Sequence, residues 1–151
     1  MPLLMLDLDN TLVDRDAAFR EAVPGFLTEP TRDALAKAVA ARWTCVIVTN
    51  GRVEQQELKI RRTGLDAIVH GWVISESTGH KKPAPEIFHA AAAEVGDSAH
   101  ADIRGATGIG VRSVWVSNGR AWTEPTFRPA HIAVDAASAI RYVIGAPESA
   151  P

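Results

Sequence analysis

A short apolar run, Leu3 to Leu6, stops at Asp7, and Asp9, Asn10, Thr11 and Asp14 follow at once. An apolar run of this length bounded by polar turn formers predicts a buried strand. An ionised carboxylate at the end of such a strand costs free energy unless a cation or several donors meet it. Asp7 and Asp9 therefore suit a site at the carboxyl edge of a parallel sheet, where open α/β folds put their chemistry. The same pair could instead cap a turn.

The rest of the chain alternates between the two periodicities. A short helix is expected over Asp16–Val23, stopped by Pro24-Gly25. An amphipathic helix follows over Thr31–Trp43, with Leu35, Ala38, Val39 and Trp43 on one stripe. Thr44 to Val48 reads as a strand that runs into Thr49-Asn50-Gly51, and Val53 to Thr63 as a helix closed by Gly64. Ala67 to Ile74 suggests a third strand, and Ser75 to Pro83 a polar loop carrying Lys81 and Lys82. Pro85 opens a helix expected over Glu86–Val95, since alanine favours helix and is depleted in strands. Beyond it come a short helix over Asp102–Gly108, a strand Val111–Val116 and a loop Ser117–Pro129. A short strand His131–Val134 and a helix Asp135–Ile144 close the chain. Strands alternating with helices mean βαβ units and a mostly parallel sheet. Right-handed crossovers then bring the strand ends near Asp7, Thr49 and Asp97 to one side of it.

With 151 residues, the chain is read as a single domain over 1–145 with a frayed tail over 146–151. A formal net charge of −2 argues against general polyanion binding, and no nucleic-acid partner is expected. The basic stretch Lys59–Arg62 reads as a solvated face. The one cysteine, Cys45, lies in an apolar run and excludes a disulfide framework. There is neither a leader-like start nor an apolar run long enough to span a bilayer, so a cytoplasmic location with no membrane contact is expected. The histidines show no metal-ligand spacing, and Ser98 lacks a G-x-S-x-G setting.

Four elements converge on one sheet edge: Asp7 with Asp9, the Thr49-Asn50-Gly51 turn, Lys82 ahead of Pro83, and Asp97 with Asp102. A hydroxyl and backbone amides at a strand-to-helix turn can cradle phosphate oxygens. An aspartate can attack phosphorus and form an aspartyl-phosphate. Such a transfer depends on positioning and charge neutralisation by a divalent cation and a lysine.

DLDNTLVD, TNG, KKPAPEIF and GDSAHADIRGA, in that order from Met5 to about Val116, resemble the four motifs of the haloacid dehalogenase superfamily. The resemblance implies a Rossmann-like three-layer sandwich of α/β class and a hydrolase, by its motifs a phosphatase. It implies Asp7 as nucleophile, Asp9 as acid/base and Lys82 as the neutralising cation. Thr49, Asn50 and Gly51 would hold the phosphoryl oxygens, and Asp7, Asp9, Asp97 and Asp102 would serve Mg2+. The aspartate at position 9 favours phosphatase over dehalogenase, since dehalogenase members lack it. A phosphorylated small molecule, or a larger phosphorylated substrate, is the expected partner.

Two departures from the family pattern stand out. Between Asp14 and Thr44, where many relatives insert a helical cap, only a residual segment over 15–30 is left beside the predicted helix. The site should then be open, covered by a large substrate or by a neighbouring subunit in a homo-oligomer. The interval from Lys82 to Asp97 is about half the usual separation and leaves no room for both a helix and a strand. With helix preferred there, the sheet would lack the strand beside the first one. That shortage supports an alternative, a catalytically impaired binding or regulatory module.

Overall fold

The computed structural model describes residues 3–13, 27–88, 93–96, 104–108, 110 and 112–145. Among them lie six strands: β1 (Leu3–Leu6), β2 (Thr44–Thr49), β3 (Gly71–Ile74), β4 (Ala93–Gly96), β5 (Arg112–Val116) and β6 (His131–Ala133). All are parallel, and they form one sheet in the order β3-β2-β1-β4-β5-β6. The order runs outward from β1 in both directions, which opens a crevice at the carboxyl ends of β1 and β4. Doubly wound sheets bind their ligands at that switch point. Asp7, the residue after β1, stands there.

The described helices are α1 (Glu29–Ala40), α2 (Val53–Arg62), α3 (Ser75–Thr78), α4 (Arg104–Gly108) and α5 (Ala136–Ile144), with 3-10 turns at Leu65–Ala67 and Pro85–Phe88. Side chains alternate across the sheet, so Leu4, Leu6, Ile47, Val114 and Val116 line one face. They share a buried cluster with Leu35 of α1, Ile60 of α2 and Ile140 of α5. Met5 and Val48 belong to a smaller cluster with Ile87, on the other face. Alternation puts Trp115 on that second face as well. Its ring packs edge-on against Trp122 at 5.1 Å, and Trp122 against Phe127 at 5.8 Å. The loop between β5 and β6 thus covers the sheet where a crossover helix would otherwise lie.

Local chemistry sets several boundaries. Thr28 accepts from the Thr31 amide at 3.3 Å, so α1 starts at Glu29, ahead of the expected Thr31. Gly64 closes α2 with φ of +76°, the left-handed conformation its missing Cβ permits. Asp135 caps α5 by accepting from the Ser138 amide at 2.7 Å. Cys45 is fully buried and burial pushes its thiol up to about 11, which keeps it neutral and unreactive.

Three expectations need correction. The helix foreseen over Glu86–Val95 is replaced by the 3-10 turn Pro85–Phe88 and the strand β4. β4 pairs with β1 (Leu4 beside Ala93, Leu6 beside Val95) and with β5 (Val95 beside Val114). Without it, the facing edges of β1 and β5 would bury unpaired backbone donors and acceptors in mid-sheet. That penalty exceeds the whole β-propensity scale of about 1 kcal/mol, so alanine's helix preference loses. The short interval before Asp97 therefore accommodates the strand beside β1, which removes the main support for an impaired module.

The third strand starts only at Gly71, because Leu65–Ala67 is a 3-10 turn. Just before it, the His70 amide donates to the Cys45 carbonyl at 2.9 Å and the His70 imidazole accepts from the Cys45 amide at 3.1 Å. The loop foreseen over Ser75–Pro83 contains the single helical turn α3. The helix expected over Asp16–Val23, most of the segment 15–30, and the tail 146–151 lie outside the described residues. Among the described residues, no helix is long and apolar enough to cross a membrane.

Candidate active site

After β1 the chain folds back on itself. The Val13 amide donates to the Leu8 carbonyl at 3.0 Å, and the Asn10 amide to the Val13 carbonyl at 2.7 Å. Leu8, Leu12 and Val13 are buried in the larger core cluster, which anchors the turn. Asn10 takes φ of +56°, a conformation asparagine tolerates better than most residues. This turn carries Asp7 and Asp9.

Asp7 is held at both oxygens. Lys82 Nζ donates to Oδ1 at 2.9 Å, and Thr11 Oγ1 donates to Oδ2 at 3.0 Å. Lys82 is 4 % exposed and Asp7 7 %, so a full ion pair sits almost dry at the end of the strand. Lys82 comes from a distant loop, and Asn50 clamps its backbone there. The Lys82 amide donates to Asn50 Oδ1 at 2.7 Å, and Asn50 Nδ2 donates to the Lys82 carbonyl at 3.1 Å. The turn after β2 thus delivers the lysine to the carboxylate.

The rest of that turn is also occupied. The Gly51 amide donates to Ser75 Oγ at 2.9 Å, and the Val53 amide donates to Glu76 at 2.6 Å. Glu76 puts a carboxylate at the amino end of α2, where the helix dipole favours it. Thr49 is 1 % exposed, and its hydroxyl oxygen accepts from Gln56 Nε2 at 2.7 Å. Of the phosphate cradle read from the sequence, the Asn50 side chain and the Gly51 amide already have protein partners.

Asp9 is engaged by two residues that no sequence motif marks. Gln56 Nε2 donates to Oδ2 at 3.0 Å and Lys59 Nζ to Oδ1 at 2.9 Å. Lys59, read as part of a solvated basic face, instead turns its ammonium inward. The signal available was spacing: Gln56 and Lys59 are three apart on α2, hence on one helix face. Arg61 and Arg62 are exposed, as expected of that face.

Asp97 and Asp102 lie outside the described residues, as does Asp14. Among the described residues no group of three or more His, Cys, Asp or Glu side chains converges as a metal cluster would. Asp7 still fits a magnesium ligand. An ionised carboxylate offers about four lone-pair positions, and the bonds from Lys82 and Thr11 use two of them. Magnesium takes hard oxygen ligands of this kind.

The chain matches the family model of haloacid dehalogenase-like hydrolases over residues 7–109. A second model, of HAD-hydrolase-like proteins, matches residues 80–139. It is 32% identical over 113 residues to a glyceraldehyde 3-phosphate phosphatase of Pyrococcus abyssi, covering 68% of this chain and 45% of that protein. It is 35% identical over 114 residues to a phosphoserine phosphatase of Thermus thermophilus, covering 69% of this chain and 43% of that protein. The matched stretch thus spans less than half the length of these relatives. In fold it is similar to a HAD phosphatase from Thermococcus onnurineus, with TM-score 0.79, 16% identity, and 99% and 100% of the two chains covered. It also resembles the D,D-heptose 1,7-bisphosphate phosphatase of B. bronchiseptica complexed with magnesium and phosphate, with TM-score 0.69, 20% identity, and 96% and 99% covered. The strand order, the Asp7–Lys82 pair at the switch point and the family match over two thirds of the sequence agree: the chain belongs to the haloacid dehalogenase-like hydrolases.

Proposed function

We propose that the chain is a magnesium-dependent phosphohydrolase that cleaves phosphate monoesters through an aspartyl-phosphate on Asp7. The observation that carries this reading is the buried Asp7–Lys82 pair at 2.9 Å, at the carboxyl end of β1. A buried ion pair is weak support for stability, because desolvation offsets most of the Coulomb gain. It is well suited to holding a nucleophilic carboxylate beside a cation that can neutralise an incoming phosphoryl group.

In the first step an Asp7 oxygen bonds to phosphorus and the phosphorus–ester oxygen bond breaks. The Asp9 carboxyl gives its proton to the departing oxygen. In the second step water attacks phosphorus and Asp9 takes a proton from it. Inorganic phosphate leaves and the Asp7 carboxylate is restored. Lys82, 2.9 Å from Asp7, would bind the phosphoryl oxygens throughout. The Thr49 hydroxyl, which donates to the Asn50 carbonyl at 3.4 Å, would turn from it to add a second donor. Mg2+, held by Asp7 with Asp9, Asp97 and Asp102, would supply Lewis-acid neutralisation of the phosphoryl charge. The names of the curated relatives, acting on glyceraldehyde 3-phosphate and on phosphoserine, support a small phosphate monoester as substrate.

The test is phosphate release with magnesium present from p-nitrophenyl phosphate, glyceraldehyde 3-phosphate and O-phosphoserine. Turnover in wild type and none in Asp7→Asn is expected. Wild type as inert as Asp7→Asn on all three would overturn the reading.

A further inference from the structure

The geometry points to Gln56 and Lys59 as positioning residues that hold the Asp9 carboxylate for proton transfer. The inference rests on the phosphohydrolase reading and adds to it a device on α2. Each Asp9 oxygen receives one donor, Oδ1 from Lys59 at 2.9 Å and Oδ2 from Gln56 at 3.0 Å. The same Gln56 nitrogen lies 2.7 Å from Thr49 Oγ1 and 3.3 Å from the Asn50 carbonyl. One side-chain amide therefore ties Asp9 to the turn that carries Thr49 and Asn50.

Gln56 occupies a position that packing alone would give to an apolar residue. The two buried residues of α2 are Gln56 and Ile60, four apart on the stripe that faces the protein. A glutamine only 2 % exposed costs free energy unless its amide is satisfied, and here its donors go to Asp9 and to the turn after β2. The turn is shaped to admit it. A Cβ built on Gly51 would meet Gln56 Cγ at 3.0 Å and Cδ at 3.1 Å, so the glycine leaves space for this side chain.

The chemistry explains why such a hold matters. Asp9 must present an oxygen to the departing group as an acid, then to water as a base. A carboxylate free to rotate would meet that geometry only part of the time, and proton transfer depends on hydrogen-bond reach. Lys59 and Gln56 fix both oxygens at once.

The experiment compares two esters that differ in how much the leaving group needs a proton. p-Nitrophenolate leaves as a stable anion, whereas the alkoxide of glyceraldehyde 3-phosphate does not. In Gln56→Met and Lys59→Met, kcat on glyceraldehyde 3-phosphate is expected to fall roughly 100-fold, and on p-nitrophenyl phosphate under about 10-fold. Lys59→Arg should recover most of the alkyl-ester activity. Equal losses on the two esters, or no loss on the alkyl ester, would overturn the inference and leave the phosphohydrolase standing. So would a wild type that turns over only the aryl ester. A wild type inert on every ester removes the underlying reading, and this inference with it. Lys59→Met lies on a partly exposed side chain and carries the test if Gln56→Met does not fold.

Discussion

The site contains two carboxylate–ammonium pairs of the same length and opposite surroundings. Lys82–Asp7 and Lys59–Asp9 both measure 2.9 Å, but the side chains are 2 % and 10 % exposed in the first and 31 % and 21 % in the second. Distance alone would make them equivalent. Burial separates them, because the effective dielectric decides both what an ion pair is worth and what its loss costs. In the proposed mechanism the dry pair fixes the nucleophile, which has one task. The wetter pair would hold the group that gains and loses a proton in each turnover.

Removing Lys82 should give the largest effect and breaks the comparison from its buried side. Lys82→Met leaves the Asp7 carboxylate buried with Thr11 still donating to it. Unfolding in urea without magnesium should show a loss of about 3–5 kcal/mol, the usual cost of stripping one partner from a buried pair. Activity on p-nitrophenyl phosphate should fall roughly 100- to 1000-fold, as for the removal of a preorganised charge. A loss below about 1 kcal/mol would mean that water reaches Asp7 and that the contrast between the pairs is overstated.

Gly51→Ala acts on the link between the pairs. The substitution places a methyl against Gln56 and imposes φ of +148° on a residue with a Cβ. Strain of about 1–3 kcal/mol is expected in urea unfolding. The displaced Gln56 should also make alkyl-ester turnover fall more than aryl-ester turnover, as in the Gln56 variant. Equal falls would show that Gly51 serves only the backbone of the turn, through its bonds with Ser75.

The two pairs also differ in how far they could be read from the sequence. Asp7, Asp9, Thr49 and Lys82 stand at recognisable places, at strand ends and ahead of a proline, and the structure brings them to one edge. The parallel sheet with its strand ends on one side followed from alternating elements and the handedness of crossovers. Gln56 and Lys59 were hidden because a helix face looks solvated until its neighbour is known, and nothing local marks Asp9 as that neighbour. β4 was misread for a related reason. Of its four residues, Ala93–Gly96, only Val95 favours strand, and the segment is strand because β1 and β5 flank it. Non-local pairing overrides local propensity most easily in short segments. Asn50 shows the same limit at a single residue: its position was legible, but its side-chain bonds to Lys82, 32 residues further on, were not.

The smallest expected effects belong to the exposed pair. Lys59→Met should change stability by no more than about 1 kcal/mol, even though its effect on alkyl-ester turnover is large. Salt sharpens the contrast, since screening at 1 M acts over about 3 Å and reaches partly exposed charges far better than buried ones. A double-mutant cycle of Lys59→Met with Asp9→Asn, read by urea unfolding, should give a coupling that shrinks between 0.05 and 1 M NaCl by a few tenths of a kcal/mol. The corresponding cycle of Lys82→Met with Asp7→Asn should give a larger coupling that salt leaves nearly unchanged. If both couplings fell in proportion, burial would not be what distinguishes the pairs. The proposed split between a fixed nucleophile and an adjustable proton carrier would then need a different physical cause.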